Sequence, residues 1–232
     1  MNQQLLGIAV VLCWLAVVVA TALLIRHRWP EQREWSRKVV HIGTGPVVLI
    51  AWALQIDRSI ALPAAALVTV ATALNHRFRL LPAVEDVGRH SYGTIAYGGS
   101  ITMLLALYWP LLPLPVAAGV LVMACGDGLA GLVGPALRSP RWRLLGQGKS
   151  LAGTTCMALA SLAVLLALQA LALASGQPAP AWPALLLIAT VATGLEQLSG
   201  YGIDNLTVPL GTAVLWQQLS GAGATLAAAV KP

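Results

Sequence analysis

Acidic side chains are scarce in this sequence: eight Asp and Glu stand against fourteen Lys and Arg, and charged residues make up only 9% of 232 positions. Soluble domains carry about 25% charged residues, so that class is excluded. Cysteine is scarce too. Cys13, Cys125 and Cys156 lack the spacing of a disulfide framework or a cysteine metal site, so each is expected to be a small packed residue in a helix. Internal repeats, low-complexity tails and polar stretches long enough for a soluble domain are all missing, so residues 1–232 read as a single membrane-embedded unit.

Hydrophobic residues, at 58%, fill what remains. Apolar runs lie at about 4–25, 39–54, 60–74, 94–112, 114–136, 151–174, 181–198 and 205–219. A helix needs about 20 apolar residues to cross a hydrocarbon core, and the second, third, seventh and last runs are short or interrupted. Lipid offers no partner to exposed backbone and the alternation of a β-barrel is missing, so these runs must be helices. The expected fold is an all-α, polytopic transmembrane helix bundle of seven or eight spans.

Only Met1, Asn2, Gln3 and Gln4 precede the first run, and "RHR" follows it. That is not the pattern of a cleaved signal peptide, and it predicts a first span with its N-terminus outside. With eight spans, twelve of the fourteen basic residues fall in the loops 26–38, 75–93 and 137–150, leaving Arg58 and Lys231 on the outer side. This asymmetry matches the positive-inside rule. The net charge of +6 is therefore read as topology, and no nucleic-acid partner is expected. Trp29, Trp35, Trp109, Trp142 and Trp182 lie near predicted span ends, where interfacial anchors belong.

Among the acids, Asp127, Glu196 and Asp204 stand out because they lie within or beside apolar runs toward the cytoplasmic end. A carboxylate at a helix centre costs about 2.5–3.5 kcal/mol on insertion scales, so it needs a partner, a cation, water or a break in the helix. In "GDGLAGLVG", Asp127, Gly131 and Gly134 recur at i, i+4 and i+7 on one helical face. Gly126 and Gly128 flank the acid. The glycines alone also fit a seam where a second helix packs closely. In "RLLGQGKSLAGTT", Gly146, Gly148 and Gly153 surround Lys149, Ser150 and Thr154. Such a segment can turn N–H groups, a lysine and hydroxyls toward phosphate, although a plain membrane-entry loop has the same composition. It is not a Walker A loop, which would need glycine at Arg143. In "EQLSGYGIDNLTVPL", Asp204 and Asn205 offer oxygens suited to Mg²⁺ or a helix N-cap, Gly200 and Gly202 predict an unwound link, and Pro209 should disturb the following helix. In "WSRKVVHIGTG", Arg37, His41 and Gly45 form a stripe entering the membrane, with Lys38 beside it. His41 fits a catalytic role or a satisfied buried histidine. Together these motifs describe a cytoplasm-facing cavity suited to phosphoryl transfer to a membrane lipid.

The blocks "RKVVHIGTG", "GDGLAGLVG", "GKSLAGT" and "DNLTVPL", in that order from Arg37 to Leu210, resemble the polyprenol kinase family of phytol, farnesol and dolichol kinases. "DNLTVPL" preceded by Glu196 looks most like the short phytol kinase-like members. The resemblance implies a membrane kinase that transfers the γ-phosphoryl group of CTP, with Mg²⁺, to an isoprenoid alcohol, feeding tocopherol or related prenyl lipids. It also implies roles. Asp127 and Asp204 become candidates for metal ligand or base, and Lys149 becomes a charge partner for the CTP phosphates. Gly126, Gly128, Gly131, Gly134, Gly146, Gly148, Ser150, Gly153 and Thr154 would form the nucleotide-binding surface. Arg37, Lys38 and His41 would contact phosphate or the alcohol, with Glu196 and Asn205 in support. One departure is "PALRSPRWRLLG", which stands where many members carry a glycine after Gly134. The signature of the related CDP-lipid-forming cytidylyltransferases is missing, which disfavours that alternative. An ion-coupled transporter is disfavoured because the acids crowd one side.

Overall fold

A computed structural model describes residues 2–78 and 92–221. The expected loop 75–93, with Arg79, Arg89 and His90, lies mostly outside the described residues, as does Lys231. Helix α1 (Gln3–Arg28) leads into α2 (Arg33–Thr44), α3 (Val47–Ala53), α4 (Arg58–Phe78) and α5 (Gly93–Tyr108). Next come α6 (Pro113–Leu121), a π-helical turn (Val122–Asp127) and α7 (Gly128–Ala136). A hairpin, β1 (Arg141–Leu144) and β2 (Gln147–Ser150), then precedes α8 (Leu151–Ala174), α9 (Trp182–Gln197) and α10 (Asp204–Leu219). The helices follow the apolar runs. The hairpin departs from an all-α reading.

Four helical stretches among the described residues are long and apolar enough to cross a membrane: Gln3–Arg28, Arg58–Phe78, Pro113–Ala136 and Leu151–Ala174. They differ in how much protein surrounds them. The core of Pro113–Ala136 is 61% buried, against 11% for Gln3–Arg28 and 6% for Arg58–Phe78. Every residue of α6 is buried, and α8 and α10 pack against it. The outer helices instead expose Leu5, Leu12, Val17 and Leu24 on α1 and Leu67, Val68 and Val70 on α4. Leucine and valine at such density on an outer surface fit a hydrocarbon environment and would be an aggregation patch in water.

The run 39–54 is interrupted, as its sequence suggests: α2 ends at Thr44 and Pro46 supplies no N–H to continue it. Two expectations change. Pro209, by contrast, does not interrupt α10, which runs through it as its sixth residue. Trp109 is not an interfacial anchor. It is 3% exposed and donates from Nε1 to the Ile56 carbonyl at 2.8 Å.

The carbonyl of Pro209 faces α6 at Gly119, where a Cβ would strike that oxygen and lie 3.1 Å from the Pro209 carbonyl carbon. Only a glycine admits this approach. Main chain cannot move aside as a side-chain tip can, so Gly119→Ala is expected to cost about 1–3 kcal/mol, the usual range for overpacking. The check is a lower Tm of the detergent-solubilised protein, and an unchanged Tm would show that the two helices separate freely.

Candidate active site

The π-turn explains how an apolar segment carries Asp127. An i→i+5 turn inserts an extra residue and loosens the regular ladder of helical hydrogen bonds, so main-chain oxygens become available to side chains. Helix α2 supplies those side chains. Lys38 Nζ donates to the Asp127 main-chain oxygen at 3.0 Å and to its Oδ2 at 2.6 Å. His41 Nε2 lies 3.3 Å from the Met123 oxygen and 3.4 Å from Asp127 Oδ2. Lys38 is itself buried. The acid is thus tolerated because a buried ammonium from another helix neutralises it, as buried charges require.

A second lysine repeats the arrangement. Lys149 Nζ donates to the main-chain oxygen of Glu196 at 2.8 Å and forms an ion pair with its Oε1. The other carboxylate oxygen, Oε2, accepts from Gln197 Nε2 at 2.7 Å, and the same nitrogen lies 2.9 Å from Thr154 Oγ1. Asp204 differs. Among the described residues its Oδ1 accepts only from Asn205, at 3.1 Å from the main-chain N and 3.2 Å from Nδ2. One carboxylate oxygen from each of Asp127, Glu196 and Asp204 lies within 4.8 Å of the others. Sequence separations of 69 and 8 residues thereby close into one cluster (127 to 196, 196 to 204).

The cluster opens into a cavity of about 780 Å³. One wall is α2 with Arg37 and Lys38, and another is α7 with Gly131 and Gly134. The hairpin contributes Arg141, Trp142, Arg143, Gly148, Lys149 and Ser150, and α8 adds Gly153 and Thr154. Glu196, Gln197, the 199–202 link, Asp204 and Asn205 complete it. The link is unwound as expected, with positive φ at Tyr201 and Gly202. The three clustered carboxylates share this space with Lys38, Lys149, Arg141, Arg143 and the Arg37–Glu34 pair, so the cavity can hold a cation and an anion together.

A phytol kinase of Synechocystis is 42% identical over 203 residues, covering 87% of this chain and 86% of its own length. The chain belongs to the phytol kinase family. A probable phytol kinase 2, chloroplastic, from Oryza sativa subsp. japonica is 29% identical over 224 residues, or 83% of this chain and 70% of its own length. No protein-family model and no solved structure matches the chain.

In this phytol kinase-family chain, several expected positions lie outside the cavity lining. A Cβ on Gly126 would meet Met157 and Ser161 of α8, and one on Gly128 would meet Ile42 of α2. These two glycines form the packing seam. Gly131 and Gly134 line the cavity and also let neighbours approach. Lys38 lies across Gly131, and Gly153 Cα would sit 3.3 Å from a Cβ on Gly134. Gly146 is the hairpin turn, with φ +79°, where a left-handed backbone favours glycine. His41 stands behind Asp127 in the wall. Arg37 donates from Nε and Nη2 to Glu34 Oε2 at 3.0 and 2.8 Å; its neighbour Lys38 is the group that reaches the acid.

The expected cradle of main-chain N–H groups at the start of α8 is already occupied. Leu151 N donates to the Pro140 oxygen, Ala152 N to Ser139 Oγ and Gly153 N to Ser150 Oγ, at 3.0, 3.2 and 3.2 Å. Ser150 is the N-cap of α8. Asp204 is not an N-cap: Ile203 holds that position, and Asp204 is the first helical residue. Sequence reading missed Gln197, Arg141 and Arg143. The arginines read as topology residues, and nothing local in the sequence marks the strand that brings Arg141 and Arg143 to the cavity.

Proposed function

We propose that this chain is an integral membrane kinase that transfers the γ-phosphoryl group of CTP to the hydroxyl of phytol or a similar long-chain isoprenoid alcohol. The supporting observation is the meeting of Asp127, Glu196 and Asp204 with two lysines and three arginines in one cavity at the ends of apolar helices. The names of the relatives support phytol as acceptor.

Hard carboxylate oxygens at this spacing suit Mg²⁺, and Asp127, Glu196 and Asp204 would hold it. When bound, the ion supplies charge neutralisation at the transferring phosphoryl group. The rest falls to the chain's own residues. Lys149, Arg141 and Arg143 bind the polyphosphate. Asp204, which forms no ion pair with a lysine among the described residues, accepts the alcohol proton as the new O–P bond forms and the bond to the β-phosphate oxygen breaks. The products are CDP and a prenyl monophosphate. Alcohol pKa values lie far above neutrality, so proton transfer is late and alignment carries most of the rate. The isoprenoid tail lies among apolar helices with its hydroxyl at the cavity.

Eight segments cross the bilayer on this reading: α1, α2 with α3, α4, α5, α6 with α7, α8, α9 and α10. Helices α5, α9 and α10 have 16 residues each, or about 24 Å at 1.5 Å per residue. That is shorter than a hydrocarbon core of about 30 Å, and locally thin lipid or interfacial anchors accommodate it. The N-terminus is outside and the cavity faces the cytoplasm, where CTP is available. The product suits entry into prenyl-lipid synthesis such as that of tocopherol.

Folded, purified protein incubated with γ-labelled CTP, Mg²⁺ and phytol, farnesol or geranylgeraniol should yield labelled lipid phosphate. Its absence with all three alcohols would reject the reading, and transfer of CMP to lipid would replace it with CDP-lipid synthesis.

A further inference from the structure

We propose that Lys149 is a place-holder for the divalent cation: its ammonium pairs with Glu196 in the resting protein and is released only when a nucleotide's phosphates accept it. The identity of the incoming anion rests on the kinase reading above.

The two lysines at the cluster are not equivalent. Lys38 is wedged. It is buried, bonds two atoms of Asp127, and crosses helix α7 where a Cβ on Gly131 would lie 2.7 Å from its Nζ. Lys149 stands on a two-stranded hairpin, and its side chain lines the cavity itself. Its four-carbon stem can therefore swing from Glu196 into that space. Its departure does not release Glu196, because Gln197 Nε2 still donates to Glu196 Oε2 at 2.7 Å. The carboxylate therefore stays in place to receive a cation.

Charge balance makes the exchange obligatory. Three carboxylates against two ammoniums leave the cluster at −1. A divalent cation entering with both lysines in place would bring it to +1 and set like charges side by side in a partly dry site. A nucleoside triphosphate reverses this, since its phosphates give Lys149 a second anionic partner while the cation takes its former one. Cation and nucleotide must then bind with positive coupling, and the coupling is reciprocal. The protein accepts the metal–nucleotide pair and holds free metal poorly.

The test uses the full chain in detergent, with Mn²⁺ affinity read by electron paramagnetic resonance, with and without a non-hydrolysable CTP analogue. The wild type should bind Mn²⁺ weakly alone and about tenfold or more tighter with the analogue. Lys149→Met, shown folded by circular dichroism and Tm, should bind Mn²⁺ alone about tenfold tighter than the wild type and gain little from the analogue. Lys149→Arg, which keeps the charge, should behave as the wild type. Unchanged or weaker Mn²⁺ binding by Lys149→Met overturns the place-holder role while leaving the kinase reading intact. Tighter binding by Lys149→Met with no effect of the analogue on the wild type overturns release by nucleotide, and the kinase reading falls with it.

Discussion

Asp127→Asn is expected to lower phosphoryl transfer about 10²–10³-fold, the loss typical when a group that stabilises transition-state charge is removed. The amide keeps the shape of the carboxylate but loses its negative charge, which both the cation and Lys38 use. Stability should fall as well, because removing one partner of a buried ion pair costs about 3–5 kcal/mol. The loss should lie at the lower end of that range, since Lys38 keeps its bond to the main-chain oxygen of residue 127 at 3.0 Å. The double variant Lys38→Met with Asp127→Asn separates the two effects. It removes both charges, so Tm should recover while turnover stays low. A folded Asp127→Asn protein within tenfold of wild-type turnover would remove this residue from the chemistry.

The second large effect is expected at Asp204, with the opposite stability signature. Asp204→Asn should lower turnover about 10²–10³-fold, within the range for losing a positioned base or charge-stabilising group, and leave Tm close to the wild type. Among the described residues no lysine forms an ion pair with the acid, and its Oδ1 accepts from Asn205, which an amide oxygen can also satisfy. Turnover and Tm measured on one preparation distinguish the two acids. A drop in Tm as large as that for Asp127→Asn would show that Asp204 is held by forces other than those between it and Asn205.

Much of the architecture was legible because span-length hydrophobicity is a strong signal. The boundaries of α8, α9 and α10 fall within a residue or two of the apolar runs. The three acids were visible for the same reason, since each is costly where it stands. Their pairing was not visible. Lys38 reads as one more basic residue at a span end, and nothing local says that it turns inward to an acid 89 positions later. Lys149 and Glu196, 47 positions apart, are the same case. The hairpin escaped because two four-residue strands are too short to establish a period of two. Trp109 escaped because a tryptophan beside a span end looks alike whether it faces headgroups or the Ile56 carbonyl.

The π-turn has a consequence for how this chain can vary in length. Each residue of an α-helix advances the azimuth by about 100°, and the wider winding of Val122–Asp127 takes up one extra residue while α6 and α7 keep their facing. Deleting one residue there would let the segment wind as a regular helix with α6 still against Pro209, but it would close the loosened turn whose oxygens at Met123 and Asp127 meet His41 and Lys38. The residue count of this turn is therefore tied to the acid's main-chain contacts, which neither a longer loop nor a thicker membrane can restore.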